Sequence, residues 1–317
     1  MTNEELLRKA THTLADFGGA GEAPLTIEQV RQFLRLAITP QIMLPDVRTV
    51  TSNANKWQES KIDFSSRIMR PGIEGERLSD GNRVKPTTGI VEISTVLVRG
   101  EVPVTDEVLE DQVEQAGYAD TLMAMIAEAV GRDLEELAIN GDTTSGDAYL
   151  ALLNGWIYQA RNGTGANTYN GAGDAQDYQK IFRNLVNTLP DRFKRDIPNM
   201  RLYVPLRLEE RYRDILANRG TPLGDLILMG NNEIRYQSIL VKGVPMMTIT
   251  AGTPDTSNVL LTHRMNLYFG IRRAIRLESF RDPREGQTSF IVTCRADAEI
   301  AHIPATALAY SVDVEPN

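Results

Sequence analysis

Histidine and cysteine, which are common in metal sites and as nucleophiles, are scarce in this chain. The three histidines, His12, His263 and His302, are far apart, and none has a partner at a spacing such as H-x-x-H or C-x-x-C. The single cysteine, Cys294, lies in "SFIVTCRA", which is typical of a strand. We therefore expect no metal site, no cofactor and a buried structural thiol instead of a nucleophile.

Two glycine-containing stretches imitate nucleotide-binding loops. "GTGANT" begins at Gly163 like a dinucleotide fingerprint, but Thr168 occupies the position of the last glycine. "GAGDAQ" at Gly171 departs from the pattern in the same way. Because a clean buried strand does not precede "GTGANT", the phosphate-binding context is missing and both stretches are expected to be flexible surface loops.

Charged residues are frequent but form no arrangement suited to catalysis. The acidic pairs Glu135–Glu136 and Glu209–Glu210 consist of neighbours on predicted helices, so their members point to different faces. An acid and a base acting on one substrate must instead face each other. We expect all four carboxylates to be solvated.

A basic stretch, "GIRRAIRLESFR", contains Arg272, Arg273, Arg276 and Arg281 and has two possible roles. It could contact nucleic acid, or it could form salt bridges between subunits at a turn and strand edge. The chain has a net charge of -8 and a pI near 5.1, whereas proteins that grip nucleic acid depend on clustered basic charge. The subunit contact is the favoured interpretation.

The element that dominates the pattern is a long predicted helix at residues 105–142. Its length would be roughly 50 Å. Thr105 is placed to cap it, Gly117 is a weak point where it could bend, and "INGD" should end it. Its later turns carry one apolar stripe: Leu122, Ile126, Val130, Leu134 and Leu137.

Alternating apolar residues predict two strands before this helix. The first includes Ile62 and Phe64, and the second is "GIVEISTVLVRGEVPV". The insert between them, "MRPGIEGERLSDGNRVKPTT", is highly charged and has almost no apolar residue to anchor it. This pattern predicts an extended hairpin that projects from the body. Because isolated hairpins are marginally stable in water, its tip must dock elsewhere to become ordered.

The remaining chain is predicted to form an arm, a lobe and a returning sheet. Short helices and extended chain are expected in the first fifty residues. Residues 177–253 alternate helix and strand, with a glycine turn expected in "EIRYQSILVKGVPMMTIT". The last sixty residues read as strands: "NVLLT", "RRAIRLESF" and "TSFIVTCRADAEIAHI".

The order of these parts resembles the major capsid proteins of tailed bacteriophages, which have the Hong Kong 97-like fold. The stretches that carry this resemblance are "VLVRGEVPVTDEVLEDQ", "DLEELAINGD", "LNGWIYQA", "LYVPLRLEERYRDILANRG", "LVKGVPMM" and "SFIVTCRADAEIAHIPATALAYSV". It covers most of residues 50–312.

The resemblance implies an α+β fold with a long spine helix, a peripheral sheet, an axial α/β lobe, an extended hairpin loop and an N-terminal arm. Residues 1–50 would form the arm and 51–104 the extended loop with its connecting strand. Residues 105–145 and 256–317 would form the peripheral domain, and 146–255 the axial domain.

It also implies a structural protein of the virion, not an enzyme. Copies would assemble in the host cytoplasm, as hexamers and pentamers, into an icosahedral head around double-stranded DNA that is not bound sequence-specifically. The other implied partners are a portal protein and, in some heads, a decoration protein. Only about fifty residues precede the hairpin, so a separate scaffolding protein is expected. No apolar run suggests a membrane partner.

The expected subunit contacts lie on the extended loop and in the basic stretch: Arg70, Glu74, Glu76, Arg77, Asp80, Arg83, Lys85, Arg272 and Arg273. Some members of the family cross-link a loop lysine to a neighbour's asparagine. Lys56, Lys61, Lys85, Asn258 and Asn266 lie in comparable regions but match no motif, so we expect ordinary surface residues.

Three alternatives remain open from the sequence. One is an encapsulin-like compartment that stores a cargo enzyme, and a second is a gene transfer agent capsid. The third is an enzyme with its site in residues 146–255.

Overall fold

The computed structural model describes residues 41–54, 56–64, 67–72, 74–75, 77, 79, 81, 83–105, 118–172, 174, 177–217, 233–247, 250, 255–272 and 276–314. Nearly all of the predicted arm, the expected helix start after Thr105 and the expected bend at Gly117 lie outside these ranges. Glu76, Asp80 and Arg273, three of the expected contact residues, also lie outside them.

The described chain mixes helices and strands throughout. Its α-helices are α1 (Tyr118–Asn140), α2 (Trp156–Asn162), α3 (Tyr178–Thr188) and α4 (Leu206–Ala217). Its strands are β1 (Arg48–Ser52), β2 (Lys56–Asp63), β3 (Thr87–Ser94), β4 (Val96–Thr105), β5 (Asn167–Asn170), β6 (Met200–Pro205), β7 (Arg235–Tyr236), β8 (Ile239–Val244), β9 (Thr256–His263), β10 (Leu267–Arg272), β11 (Arg276–Asp282), β12 (Gln287–Ile300) and β13 (Thr306–Asp313).

A five-stranded sheet is organised around the long strand β12. One edge of β12 pairs with β4 from Gln287 to Ala296. The other edge pairs first with β11 and then with β10, and β1 completes the sheet by pairing in parallel with β10. Strand β12 therefore holds this sheet together, because β4, β10 and β11 all pair with it.

Helix α1 covers one face of this sheet. The predicted stripe is confirmed, because Ile126, Leu134 and Leu137 are buried in the core and Leu122 and Val130 pack against it. The predicted end is also confirmed, since the helix stops at Asn140. Cys294 lies in β12 and is buried in the same core, and burial raises the pKa of its thiol to about 12. The expectation of a buried structural thiol in a strand is confirmed.

A six-stranded sheet, in the order β5-β13-β9-β6-β8-β7, forms the second half of the molecule. The order α3, β6 and α4 agrees with the alternation of helix and strand predicted for residues 177–253. The central strand β9 pairs with β6, and β13 pairs with β5. Strand β9 also pairs with β13, so two strands from residues 256–313 belong to this sheet.

Two local predictions about glycine were wrong. The turn between β7 and β8 is made by Gln237 and Ser238, which have φ of 47° and 69°, while Gly243 lies inside β8. Positive φ at both central residues of a two-residue hairpin turn suits the twist of the flanking strands. The stretch after Gly163 is also more ordered than expected, since Asn167–Asn170 is a strand of the sheet.

The expected solvation of the acidic pairs was wrong for Glu135. Its side chain is 2% exposed, while Glu136 is only partly buried. Glu135 accepts a hydrogen bond from the backbone N–H of Met43, and backbone N–H groups of Ile42 and Leu44 also stabilise its charge. Burial outweighs these bonds and raises the pKa of the Glu135 carboxyl. Helical periodicity alone could not show that residues 42–44 cover this position.

Candidate functional site: the hairpin and its base

The predicted hairpin is present as the antiparallel pair β2–β3. Its register runs from Lys56 opposite Ser94 to Asp63 opposite Thr87. In the connection between the strands, Ile68 and Met69 have 53% and 81% of their surfaces exposed. The described residues of this connection therefore do not fold onto the body of their own chain.

One face of the hairpin carries exposed apolar side chains toward its tip. Ile90 is opposite Ser60 and Ile62 is opposite Thr88, so these residues share a face. Ile62 is 66% exposed and Ile90 64% exposed, and Phe64 continues the strip at 49%. We call Ile62, Phe64 and Ile90 the apolar strip. Contiguous apolar surface of this kind marks an interaction site.

The opposite face of the hairpin packs on the five-stranded sheet at its base. Val91, Ile93 and Tyr268 are buried there, with Trp57 packed against them. A Cβ added at Gly270 would lie 2.5 Å from Cγ2 of Ile93 and 2.9 Å from Cη2 of Trp57. Only glycine leaves room for this approach, because real Cβ contacts do not fall below about 3 Å.

Charged side chains surround this apolar contact. Arg48 of β1 donates to Glu59 at 2.9 Å and to the hydroxyl of Tyr268 at 2.6 Å. Nζ of Lys61 lies 2.8 Å from both the carbonyl oxygen of Ala301 and Nδ1 of His302. The contacts of Arg48 join β1 to the hairpin and to β10, and those of Lys61 join the hairpin to the residues after β12. Together they fix the orientation of the hairpin relative to the five-stranded sheet.

Two carboxyl groups of β12 lie on the same side of the sheet. Asp297 is 7% exposed and accepts a hydrogen bond from the backbone N–H of Ser94 at 2.6 Å. Burial raises the pKa of Asp297. Glu299 is partly buried, and burial together with the negative charges of Asp297 and Glu92 raises its pKa to about 7.

The described contact residues predicted from the sequence lie where subunit contact is feasible. Arg70, Glu74, Arg77, Arg83 and Lys85 are exposed along the hairpin connection. Arg272 is partly buried at the end of β10, where its Nε donates to the carbonyl oxygen of Asn53 at 3.3 Å. Their contact with another copy stays a prediction.

Three of the residues weighed for cross-linking are engaged within the chain, and one of them is Lys56, whose Nζ lies 3.0 Å from Oε1 of Glu92. The expectation of an ordinary surface residue was wrong for Asn266, which is 8% exposed. Its amide nitrogen donates to Thr262, Thr306 and His302, and its oxygen accepts from the N–H of His302. Lys61 is held by His302 and Ala301, whereas Lys85 is exposed.

The sequence did not identify the residues that hold the hairpin base. Trp57, Gly270, Asp297 and Glu299 have no recognisable spacing, since they come from three separate strands. The alternation "CRADAEI" did place Asp297 and Glu299 on one face of a strand. It did not show that β3 would cover that face.

Among the described residues, no three His, Cys, Asp or Glu side chains gather in a way that could hold a metal ion. No helix in the described ranges is both long and apolar enough to cross a membrane.

In the described part of the chain, a hairpin that leaves its apolar strip exposed is attached to a sheet that lies under a long helix. This arrangement, together with the six-stranded second sheet, is the Hong Kong 97-like fold of shell-forming proteins. Comparisons with known proteins agree. The chain is 32% identical over 303 residues to the prophage capsid protein YqbE of Bacillus subtilis strain 168, covering 94% of this chain and 95% of that protein. It therefore belongs to this family of phage capsid proteins.

Solved structures show the same fold at low sequence identity. A satellite phage P4 procapsid chain superposes with a TM-score of 0.69 and 13% identity over 98% of both chains. The capsid of a native gene transfer agent particle gives 0.60 and 14% over 92% of both. The SrpI encapsulin of Synechococcus elongatus gives 0.57 and 11% over 100% of this chain and 98% of that one. No protein-family model matches the chain.

Proposed function

We propose that copies of this chain assemble, as hexamers and pentamers, into the icosahedral head of a phage and enclose its double-stranded DNA. The observation that carries this proposal is the apolar strip, which the described part of the chain leaves exposed. Burying a large apolar side chain contributes about 1.5–3 kcal/mol. Repeated contacts of this size around a closed ring stabilise a shell collectively.

The charged residues of the hairpin connection have a complementary role. Arg70, Glu74, Arg77 and Lys85 are exposed, and exposed ion pairs contribute only about 0–1 kcal/mol each. Such pairs determine the register between copies more than they increase the strength of the contact. Weak selective contacts allow misplaced subunits to dissociate before the shell closes.

We assign the domains by sheet. The five-stranded sheet with α1 forms the peripheral domain, and the six-stranded sheet with α3 and α4 forms the axial domain. β9 and β13 belong to the axial domain by their pairing. Residues 1–50 are assigned to the arm, and residues 51–104 to the extended loop and its connecting strand β4, which joins the loop to the five-stranded sheet.

A separate scaffolding protein, a portal protein and packaged DNA complete the proposed system, with a decoration protein in some heads. Assembly takes place in the host cytoplasm, and the chain has no catalytic role. The net charge of -8 suits DNA that is enclosed without being gripped.

The test is assembly of purified protein, with and without a candidate scaffold, followed by size-exclusion chromatography and negative-stain microscopy. We expect closed particles from the wild type. Ile62→Glu with Ile90→Glu should leave folded small oligomers, because a buried unpaired charge opposes docking. Ile62→Val with Ile90→Val is the matched control and should still form shells. Shells from the double Glu variant would refute the role of the apolar strip.

The contents of particles from the native source separate the alternatives. Mass spectrometry should find portal or tail proteins beside packaged DNA. A single cargo enzyme without DNA would indicate an encapsulin-like compartment, and packaged fragments of cellular DNA would indicate a gene transfer agent. A wild type that stays a small oligomer with every scaffold would favour an enzyme.

A further inference from the structure

A short segment in front of β6 carries exposed positive charge. This kinked 3-10 segment, Asp191–Asn199, contains Arg192 and Arg195, and both arginines are exposed. They are three residues apart, which is one turn of a 3-10 helix. The chain as a whole has a net charge of -8, so two exposed arginines at this spacing form a local exception to its acidic character.

The carboxylates of the same segment are engaged by other groups. Oδ1 of Asp191 lies 2.8 Å from Nζ of Lys194, and Oδ2 of Asp196 lies 3.2 Å from Nε2 of His263. Within the described ranges, neither of the two arginines forms an ion pair. Their guanidinium groups therefore present positive charge that this part of the chain does not neutralise.

An aromatic side chain connects these arginines to the hairpin. The guanidinium of Arg192 lies over the ring of Phe193, 4.5 Å from its centroid. The same ring meets the imidazole of His302 edge-on, with the centroids 5.1 Å apart. Nδ1 of His302 lies 2.8 Å from Nζ of Lys61 in β2. We call Arg192, Arg195 and Lys61 the basic row.

We propose that the basic row contacts the phosphate backbone of double-stranded DNA. The binding is a property of the individual chain, and only the place of this contact, on DNA inside a head, rests on the proposed function. A guanidinium can donate two parallel N–H bonds to one phosphate, and such charge-assisted bonds are about twice as strong as neutral ones. The contact reads no bases, because phosphates carry no sequence information.

Screening explains how an acidic chain can bind a polyanion at one place. At physiological ionic strength the Debye length is about 8 Å, so carboxylates farther from the basic row than this have little effect on it. Double-stranded DNA carries one negative charge per about 1.7 Å of its axis. This regular charge density favours DNA over an acidic protein surface as the occupant.

The contact should be weak for each copy. Non-specific binding of DNA by proteins has a Kd of about 10⁻⁴–10⁻⁶ M at physiological salt, and a row of three cations belongs at the weak end of this range. Many copies that each make one weak contact would hold the outermost DNA beside the shell through multivalency. The DNA would still be able to slide while it is packaged.

The test measures DNA binding by unassembled protein. The chain is purified without a scaffold and titrated into a fluorescein-labelled duplex of about 20 base pairs, and anisotropy is recorded from about 0.03 to about 0.2 M NaCl. Arg192→Gln with Arg195→Gln should weaken binding more than about tenfold at low salt. It should also lower the slope of log K against log salt by about 1.8, because each phosphate contact contributes about 0.9.

Two matched variants separate the basic row from general charge effects. Arg192→Lys with Arg195→Lys keeps both charges and should retain most of the slope. Arg99→Gln with Arg132→Gln removes the same charge at exposed positions that are paired with neighbouring carboxylates. This second variant should bind DNA like the wild type. Circular dichroism checks that every variant is folded.

Three results would overturn the proposal. The first is no binding of the duplex by the wild type up to about 10⁻³ M protein at low salt. The second is an equal loss of binding in both Gln variants, which would leave net charge as the only cause. The third is binding of polyglutamate without binding of DNA, which would indicate an acidic protein partner.

The outcome is independent of the assembly test. Normal shells from a chain that binds no DNA would reject this inference and leave the proposed function standing. Binding of DNA through the basic row by a chain that forms no shells would support the contact and reject only its place in a head.

Discussion

Oε1 of Glu135 accepts a hydrogen bond from the backbone N–H of Met43 at 2.5 Å, which ties α1 to the last part of the arm, residues 41–50. The side chains of Met43 and Leu44 are fully buried beside it. With its amide nitrogen oriented toward Glu135, Gln41 donates to Oε2 at 2.9 Å. One carboxylate thus receives donors from several successive residues, an arrangement typical of a backbone anion nest.

Glu135→Ala should destabilise the fold, because it leaves the N–H groups of residues 42–44 without this acceptor and opens a cavity. Each unsatisfied buried donor costs about 1–3 kcal/mol. We expect the free energy of unfolding of unassembled protein to fall by about 2–4 kcal/mol in urea titrations. Glu128→Ala, at an exposed position of the same helix, should change it by less than about 0.5 kcal/mol. Equal effects of the two variants would show that the bond to Met43 is unimportant.

The same segment is held at its other end by Asp46. Oδ2 of Asp46 lies 3.1 Å from Nε of Arg201, from Nζ of Lys242 and from the hydroxyl of Tyr203. The side chains of Asp46 and Arg201 are 10% and 11% exposed. Asp46→Asn removes the charge that both cations face.

Removing one partner of a buried ion pair costs about 3–5 kcal/mol, and the partial exposure of Lys242 reduces this figure. We therefore expect Asp46→Asn to lower the free energy of unfolding, measured by urea titration, by about 2–4 kcal/mol. The control is Asp191→Asn, whose side chain is 95% exposed beside Lys194. It should leave the free energy of unfolding almost unchanged, because solvent screens an exposed ion pair. A loss in the control as large as that in Asp46→Asn would argue against the special role of the buried pair.

Periodicity predicted the regular parts of this fold. The stripe on α1, the strand around Cys294 and the segments of α3, β6 and α4 all follow from spacing along the chain, and the order of parts carried the resemblance to capsid proteins. Contacts between distant segments did not follow from spacing. Glu135 seemed solvated because residues 42–44, which bury it, are about 90 positions away. The hairpin base was missed for the same reason, since Trp57 and Gly270 meet only after the sheet has formed.

Cys294 should be unreactive in the folded protein at neutral pH. It is 5% exposed, and burial raises the pKa of its thiol to about 12, so the thiolate is scarce. Labelling by a thiol reagent at about pH 8 should be negligible in native protein and rapid after unfolding in urea. The denatured sample is the control for reagent quality. Fast stoichiometric labelling of the native chain would contradict the burial of Cys294 in the core that β12 shares with α1.

Gly270→Ala should loosen the hairpin without unfolding the body. The added Cβ would lie 2.5 Å from Cγ2 of Ile93 and 2.9 Å from Cη2 of Trp57, so the hairpin base has to move away from the sheet. Overpacking of this kind costs about 1–3 kcal/mol. The expected signs are a red shift of Trp57 emission and faster proteolysis within the hairpin, with circular dichroism unchanged. Gly100→Ala in β4 is the matched control, because nothing lies within 4 Å of its added Cβ. If both glycine variants behave like the wild type, the close approach of Trp57 and Ile93 to β10 does not hold the hairpin in place.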